Sequence, residues 1–396
     1  MLDELLAWRW FMQTLEVKQV ETEDERIAFL SLPWEVYKDD PYWVPPIFSE
    51  RMAFINPDEN PFFRHAEVAF FTALRGERIV GTIAAFANHR HNEFHHENIA
   101  FFGFFEVLKD AEAAGALLKR AEDWARERGY AALRGPAQFS VNDECGLLVD
   151  GFDDSPRILM TYNPPYYVDY IEKNGYISVQ DLWAYSLSTN IFSTETGQRL
   201  TRLVEKIKKR SKISFRTMNM KDFDAEVERL KAIYNSAWAN NWGFIPFDEA
   251  EFDHLAEELR PIVDTDFVFV AEVEGKPVGF SLTLPDLNEP LRLAYPRPHT
   301  PEWWTMVKLA WHWKVRRQIS WIRVFAMGVI PEYRVKGIDA LFYYESAKAA
   351  IKKGIPQAEM SWILESNDKM NEIIRTLGGE VYKTYRFYEK KLEIAS

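Results

Sequence analysis

The sequence predicts an α/β protein in which one order of strands and helices occurs twice. Strand-like and helix-like stretches alternate along all 396 residues. Two hairpin patterns, each built around a glycine turn, lie at 68–86 and 267–285. Two helical patterns, 114–129 and 338–354, superpose at an offset of 225 residues and both end at a glycine. A repeated order of elements indicates a duplicated architecture.

The first half contains strands at both ends and a helix near its centre. LEVKQVE (15–21) is typical of a strand, and the hairpin 68–86 follows it. IAFFGFFEV (99–107) is apolar almost throughout, as in a buried strand. AGALLKRAEDWARERG (114–129) has helical spacing of its apolar residues and ends at Gly129, before the short strand AALRG.

The second half repeats this order. A strand is predicted at 213–219, a hairpin around Gly275, a buried strand at 322–330, a helix at 338–354 and a strand at AEMSWIL. A polar helix at 194–212 separates the halves, so we predict one domain at 1–193 and a second at 213–396. The second domain carries an insertion at 286–318, which contains a Trp-rich helix.

Composition excludes several classes of protein. Apolar residues make up 47% of the chain, which is a globular composition. The net charge of −12 argues against sequence-independent binding of nucleic acid, which needs a basic surface. A single cysteine, Cys145, excludes an internal disulfide framework and predicts a cytoplasmic location. No apolar run approaches about 18 residues, so no transmembrane segment is predicted.

The segment GVIPEYRVKGID has the pattern of an anion-binding turn. An apolar strand ends at Gly328-Val329-Ile330, and Arg334-Val335-Lys336-Gly337 precede a helix that starts at Ile338. A helix start leaves backbone N–H groups without partners and carries partial positive charge, which suits a diphosphate. Gly337 allows close approach of the backbone, and the two basic side chains add charge. Asp339 is out of place, because an inward carboxylate would repel a phosphate.

This turn, together with ESNDKMNEIIRTLGGEVYKTYRFYEKKL, resembles the GNAT superfamily of coenzyme A-dependent N-acyltransferases, as two tandem copies. The resemblance implies two mixed-sheet domains and transfer of an acyl group from coenzyme A to an amine, without a metal. It implies that residues 328–330 and 334–338 hold the cofactor, with Asn367 at the start of the fourth helix. It also implies that pantetheine pairs with the backbone edge of 326–330, where the fourth and fifth strands of the family separate.

The first copy departs from the family at this turn. At the offset of 225, Arg334 corresponds to Lys109 and Gly337 to Glu112. Several acids lie near the helix start in EVLKDAEAAGAL and would repel a pyrophosphate. The first copy is therefore predicted to be degenerate in its phosphate turn and not to bind coenzyme A.

Amine acylation needs a base for the ammonium proton and an acid for the leaving thiolate. The polar loop 135–156 offers Glu144 as the base, although a solvated turn explains the same residues. The family often places a tyrosine seven residues after an asparagine in the fourth helix. That position is Ile374 after Asn367, but Tyr170 after Asn163 in the first copy. Tyr385 is the other candidate acid, beside Tyr382 and Tyr388, and packing explains these tyrosines equally well.

Two further patterns have alternatives. The tract NHRHNEFHHE (88–97) holds four of the eight histidines, and a surface loop is favoured over a metal site because the spacing is irregular. The Trp-rich helix 303–317 fills a core, lines an acyl channel or lies on a membrane surface with Arg316 and Arg317 near the headgroups. All three interpretations of the helix stay open, with core packing favoured.

The stretches FFGFFE, GPAQFS and YNPPYY resemble large bacterial proteins of the superfamily that are linked to acylation of sphingoid bases. This resemblance implies an acyl-CoA co-substrate and a small-molecule or lipid-like amine. Two alternatives remain: a transferase of tandem architecture that uses aminoacyl-tRNA, and a binding protein that has lost the chemistry. The acceptor, the acyl length and the oligomeric state are open.

Overall fold

A computed structural model describes residues 13–210, 213–239 and 241–393, except for the side chains of Arg210 and Val335. The ends of the two predicted domains, 1–12 and 394–396, lie outside the described residues. No helix among the described residues is long and apolar enough to cross a bilayer.

The elements of the first half follow the predicted order. They are β1 Leu15–Gln19, α1 Glu23–Ser31, α2 Pro33–Val36, α3 Phe48–Phe54, β2 Ala66–Arg75, β3 Arg78–Asn88, α4 His89–His95, β4 Ile99–Val107, α5 Ala111–Glu127, β5 Ala132–Gly135, β6 Leu147–Asp150, α6 Tyr166–Lys173 and β7 Ile177–Ser188.

The second half continues in the same manner. It comprises α7 Glu195–Arg210, β8 Ile213–Thr217, α8 Phe223–Trp238, α9 Glu249–Leu259, β9 Val268–Val273, β10 Lys276–Pro285, α10 Asn288–Ala294, α11 Glu302–Ala310, β11 Trp321–Val329, α12 Ile338–Lys353, β12 Gln357–Leu364, α13 Asp368–Thr376 and β13 Glu380–Lys391. A π-helical segment, Trp311–Val315, continues α11, and a 3₁₀ turn, Pro331–Lys336, precedes α12.

The chain forms two compact units. Unit 1 comprises Met1–Asp181, Ala294–Val307 and Tyr385–Ser396, and unit 2 comprises Leu182–Leu293 and Lys308–Thr384. This division describes packing in space, and the sequence limits of the two copies stay a prediction.

In unit 1, the strand order is β1-β2-β3-β4-β5 and then the end of β13. Only the β4–β5 pair is parallel, and the neighbouring pairs are antiparallel. Helix α5 covers one face of this sheet with a fully buried apolar row that includes Leu117, Leu118 and Trp124. The opposite face carries a cluster of stacked and edge-on phenylalanine rings around Phe139.

In unit 2, the strand order is β8-β9-β10-β11-β12 and then the end of β7. Here too only one pair, β11–β12, is parallel. The last strand of each sheet, here named the closing strand, comes from the opposite half of the sequence. Unit 1 is closed by Tyr388–Lys391 from the end of the second half. Unit 2 is closed by Leu182–Ser188 from the end of the first half.

A bulge interrupts the first strand of the parallel pair in both units, β4 in unit 1 and β11 in unit 2. In β4, the register passes from Thr82–Glu106 to Ala84–Gly103, so one extra residue is accommodated. Phe104 takes φ = 49° there, and its carbonyl accepts a hydrogen bond from the Thr82 hydroxyl at 3.1 Å. In β11, the register shifts between the pairs Leu282–Ala326 and Thr283–Val324. Bulges of this kind bend a strand and re-aim its side chains beside functional sites.

The histidine tract differs from the predicted surface loop. Residues 89–95 form α4, and His91 is only 2% exposed because its ring packs against Phe101 and contacts Glu97 through Nε2 at 2.8 Å. Burial lowers the pKa of His91 to about 4, so the ring is neutral at physiological pH.

Gly103 is predicted to be essential for the stability of unit 1. A Cβ at this position would lie 1.7 Å from the carbonyl oxygen of Ala137, which is rigid backbone. We expect Gly103→Ala to cost about 3 kcal/mol or more by overpacking, measured by denaturant unfolding. Gly115→Ala is the control, since a Cβ there meets only the movable side chain of Asn174 at 3.2 Å. Equal stability of the two variants would contradict the close approach.

Candidate functional site

The start of helix α5 in unit 1 is filled by the protein's own acids. The carboxylate of Asp110 caps the helix by accepting from the Ala113 amide at 3.0 Å. The buried guanidinium of Arg75 pairs with Asp110 at 2.6 Å and with Glu112 at 2.6 Å. Burial opposes ionisation of Asp110, but the hydrogen bond and charge of Arg75 and the hydrogen bonds from the backbone amides of Ala113 and Glu112 together keep the pKa of this carboxyl below its usual value. This helix start is therefore already occupied by the protein's own carboxylates.

The start of helix α12 in unit 2 is built differently. Gly337 is the N-cap with φ = 74°, and no side chain caps the helix. The left-handed conformation favours glycine, and a Cβ would lie 2.7 Å from Cδ1 of Ile207. The guanidinium of Arg334 braces the turn by donating to the carbonyls of Val329 at 3.1 Å and Ala237 at 2.6 Å. The ammonium of Lys336 lies 4.3 Å from the centre of the Tyr333 ring.

The other residues of the predicted cofactor site lie in the turn before α12, at the start of α12 and at the start of α13. Ile338, the first residue of α12, is fully buried, and the side chain of Val335 lies outside the described residues. Asp339 is half-buried, and its charge adds to burial in raising the pKa of Tyr343, one turn further along α12. The carboxylate thus lies on the Tyr343 side of the helix. Asn367 caps α13, where its side chain accepts from the Met370 amide at 3.2 Å.

The parallel strands of unit 2 separate next to this turn. The β11–β12 pairing runs from Trp321–Gln357 to Val324–Met360, whereas β11 continues for five residues to Val329. Gly328 lies in the separated part. A Cβ at this position would lie only 2.3 Å from Cζ3 of the Trp238 indole, so the two residues are in close contact. Among the described residues, no strand pairs with the β12-facing edge of β11 beyond Val324.

The corresponding separation in unit 1 is closed by the chain itself. The β4–β5 pairing covers Ile99–Phe101, and the amide of Ala137 then donates to the carbonyl of Phe102 at 2.9 Å. The chain after β5 therefore lies against β4 in this unit. The first copy thus differs from the second both at this strand edge and at its helix start, and its lack of coenzyme A binding stays a prediction.

A buried polar cluster lies where β11 and β12 separate. Arg323 and Glu359 are cross-strand neighbours with side chains at most 1% exposed, and Nε of Arg323 lies 3.6 Å from Oε1 of Glu359. The Ser361 hydroxyl donates to the same carboxylate at 2.7 Å and accepts from Arg323 at 3.0 Å. The hydroxyl of Tyr382 donates to the second oxygen of Glu359. A phenol bound to an ionisable, dry carboxylate is a candidate proton donor.

Unit 1 holds a second acid–base cluster, centred on Glu106. This residue follows the bulge of β4, and its carboxylate accepts from the phenols of Tyr37 at 2.9 Å and Tyr167 at 2.8 Å. Burial raises the pKa of Glu106 to about 7, although the hydrogen bonds from the two tyrosines oppose the shift. A carboxyl with a pKa near neutrality exchanges protons efficiently at physiological pH.

Glu144 belongs to the surroundings of Glu106. Its carboxylate forms an ion pair with Arg51, and both side chains are largely buried. Burial would lower the pKa of Arg51, but the charge and hydrogen bond of Glu144, together with the charges of Glu50 and Glu106, raise it overall. The structure therefore brings Glu144, the predicted base, into one electrostatic group with Glu106.

The two predicted tyrosines lie apart from these carboxylate contacts. The ring of Tyr170 packs on Tyr166 at 5.2 Å, and its carbonyl accepts from Asn174. Tyr385 is fully buried in β13, three residues beyond Tyr382. Their catalytic roles stay predictions.

Sequence reasoning did not identify Glu106 and Glu359 as candidates. Glu106 stands in an otherwise apolar strand, and an acid inside such a run is a signal that the sequence does contain. The count of seven residues from Asn163 pointed to Tyr170, whereas Tyr167, one turn earlier in α6, is the tyrosine that contacts Glu106. Glu359 was not singled out, because two of its partners, Arg323 and Tyr382, come from other strands.

The sequence of this chain is similar to known acetyltransferases and their relatives. The model of the Acetyltransferase (GNAT) family matches residues 21–138, in the half that lacks the phosphate turn. The chain is 36% identical over 386 residues to a protein of Caulobacter vibrioides named bacterial ceramide synthase, covering 96% of this chain and 98% of that protein. It is 34% identical to Protein YghO of Escherichia coli K12, covering 92% of both.

Solved structures show the same fold at low identity. A tandem GNAT protein from the clavulanic acid biosynthesis pathway superposes with a TM-score of 0.54 and 11% identity, covering 97% of this chain and all of that one. The match over the whole length agrees with the predicted fold of two tandem GNAT-like domains.

The pKa of Glu106 is predicted to respond to each tyrosine that contacts it. We expect a titration of the Glu106 carboxyl by ¹³C NMR to give a pKa of about 7. Tyr37→Phe should raise this pKa by about one unit, because the lost hydrogen bond stabilises the charged form. Tyr170→Phe, on a tyrosine of the same unit without this contact, should leave it unchanged. A wild-type pKa near 4.5 would contradict the buried environment.

Proposed function

The chain belongs to the GNAT acetyltransferase family, and from that premise we propose that it transfers an acyl group from coenzyme A to the amine of a lipid-like acceptor. Membership of the family makes it an acyltransferase. The proposal concerns the acyl donor, the amine acceptor and the residues that bind them or transfer protons.

The donor site is proposed in unit 2. The observation that carries it is the contrast between the two units: α12 starts at an uncapped glycine beside a separated strand pair, whereas the start of α5 is capped by Asp110 and β4 is covered by Ala137. Unsatisfied amides at a helix start attract a diphosphate. The part of β11 that β12 leaves unpaired beyond Val324 offers hydrogen bonds to an extended chain, as in the addition of a strand to a sheet.

The chemistry requires that the nitrogen lose two protons and the sulfur gain one. The ammonium group first loses a proton to become the nucleophilic amine, whose nitrogen forms a bond to the thioester carbon. The carbon–sulfur bond then breaks, the new amide nitrogen loses its second proton and the thiolate gains one, so that one proton in all is released to solvent. We propose Tyr382 as the proton donor to the thiolate, with Glu359 holding its hydroxyl in place and Arg323 balancing the charge of Glu359. A positioned acid of this kind contributes about 10²–10⁴-fold to the rate.

In unit 1, Glu106 is proposed as a candidate base beside Glu144, because a carboxyl with a pKa of about 7 is partly ionised near neutral pH and can take a proton from an ammonium group. Glu144 is also the partner that fixes Arg51.

The lipid-like acceptor rests on the relative named bacterial ceramide synthase, which matches this chain over nearly the full length of both. A ceramide is an amide of a long-chain amine, so a related enzyme is expected to acylate an amine of that kind. The aromatic content of 15% suits apolar substrates and supports the same choice.

Coenzyme A binding is predicted to depend on Gly337. We expect Gly337→Ala to weaken the affinity for coenzyme A at least tenfold in calorimetric titration, because the Cβ strains the turn and crowds the helix start. Gly354→Ala is a matched control at the other end of α12, with φ = 73° and nothing within 4 Å of the added Cβ. Each variant loses about 1–2 kcal/mol of stability from the same backbone strain. Equal affinities would exclude the phosphate site.

Tyr382 is predicted to act on the chemical step. Tyr382→Phe should lower kcat with acyl-CoA and a long-chain amine by about 10²-fold or more, with little change in KM for acyl-CoA. Tyr385→Phe is the comparison, because it removes a hydroxyl from the same strand. A loss of kcat in Tyr385→Phe alone would transfer the role to Tyr385. Unchanged kcat in both would leave the thiolate to be protonated by another group and refute the assignment.

A further inference from the structure

The insertion of the second half presents an apolar row to solvent. Residues Trp303, Val307, Trp311 and Val315 follow one another at intervals of four along α11 and the π-helical segment. Their exposed fractions are 68%, 51%, 53% and 60%. The opposite face is the buried one, because Thr305 is 2% exposed and Leu309 is 8% exposed. The helix is thus anchored by one face and exposes its largest apolar side chains on the other.

The π-helical segment keeps this row continuous. A row at intervals of four drifts around an α-helix, because four residues exceed one turn. A π-helix takes more residues per turn, so the drift is reversed between Trp311 and Val315. Such segments are rare and are often found at functional sites.

The patch is large relative to the rest of the described surface. Trp304 and Met306, at 46% and 44% exposure, widen the row. Among the described residues, twelve large apolar side chains are exposed, and half of them lie in residues 303–315. A contiguous exposed patch of this kind marks an interaction surface. The core packing favoured from the sequence does not describe this helix.

The charge beside the patch identifies the partner. Residues 302–317 carry four cations, Lys308, Lys314, Arg316 and Arg317, and a single acid, Glu302, in a chain with a net charge of −12. Arg316 and Arg317 are exposed, and the ammonium of Lys314 lies 3.2 Å from the centre of the Trp313 ring. Tryptophan favours the headgroup level of a bilayer, and nearby cations are attracted to anionic lipids.

A second copy of the chain suits this surface less well. A two-fold contact through the row would bring the same patch on both copies together, and with it the cations of each. A bilayer instead accepts the indoles and neutralises the cations at the same time.

We propose that the segment 302–317, here named the docking helix, lies in the surface of an anionic lipid bilayer. The row Trp303, Val307, Trp311 and Val315 enters the boundary between headgroups and acyl chains, and Arg316 and Arg317 contact lipid phosphates. This inference goes beyond acyl transfer and does not depend on it, because binding to a bilayer is measured without substrate.

The test is sedimentation of the full chain with vesicles of phosphatidylethanolamine and phosphatidylglycerol, and with vesicles of phosphatidylcholine alone. The wild type should sediment with the anionic vesicles, and high salt should weaken this binding. Trp303→Ser with Trp311→Ser should reduce partitioning at least tenfold. Arg316→Gln with Arg317→Gln should reduce the preference for anionic lipid by about tenfold and leave the fold intact. Ile177→Ser, at a side chain that is 64% exposed elsewhere, is the control and should bind as the wild type does.

Three results would overturn the proposal. The wild type could stay in the supernatant with both kinds of vesicle, or the double tryptophan variant could sediment as strongly as the wild type. Light scattering could also show a dimer, without vesicle binding, that the double tryptophan variant dissociates. That last result would assign the docking helix to a contact between copies.

Discussion

Each unit is organised around one parallel strand pair, and the two strands of that pair separate after three or four residues. Beyond this point, the backbone groups that faced the partner strand need other hydrogen-bond partners. A buried amide or carbonyl must find a partner. In unit 1, the partner of Phe102 is Ala137, so the protein completes its own sheet. In unit 2, the separated part of β11 runs beside the uncapped start of α12. The same geometry thus becomes a scaffold in one copy and a candidate binding edge in the other.

The order of elements was predictable from the sequence because local patterns determine it. The buried strand 99–107 has the predicted bounds, and the helices that end at Gly129 and Gly354 end within two residues of those glycines. The contrast between the two helix starts was also predictable from the sequence. The acids in the first copy and Gly337 in the second each lie directly beside the helix start in their own segment. Capping by Asp110 gives the physical reason for that contrast.

The acid–base groups were not predictable, because their partners are distant in sequence. Glu106 meets Tyr37 across 69 residues, and Glu359 meets Tyr382 across 23. No spacing rule encodes either contact. The orientation of the docking helix was not predictable either, because its pattern of tryptophans fits a buried face and an exposed face equally well. In the structure, Thr305 and Leu309 are the buried residues, so the tryptophan row lies on the exposed face.

The exchange of closing strands has a consequence for each half of the chain. Each unit is completed by a strand from the opposite half of the sequence, so neither half contains a whole sheet. A separate polypeptide made of one half would therefore lack the strand that closes its sheet and would leave an unpaired edge. Covalent linkage of the halves supplies each closing strand within one molecule. It also allows the two helix starts to differ, one capped by Asp110 and the other beginning at Gly337.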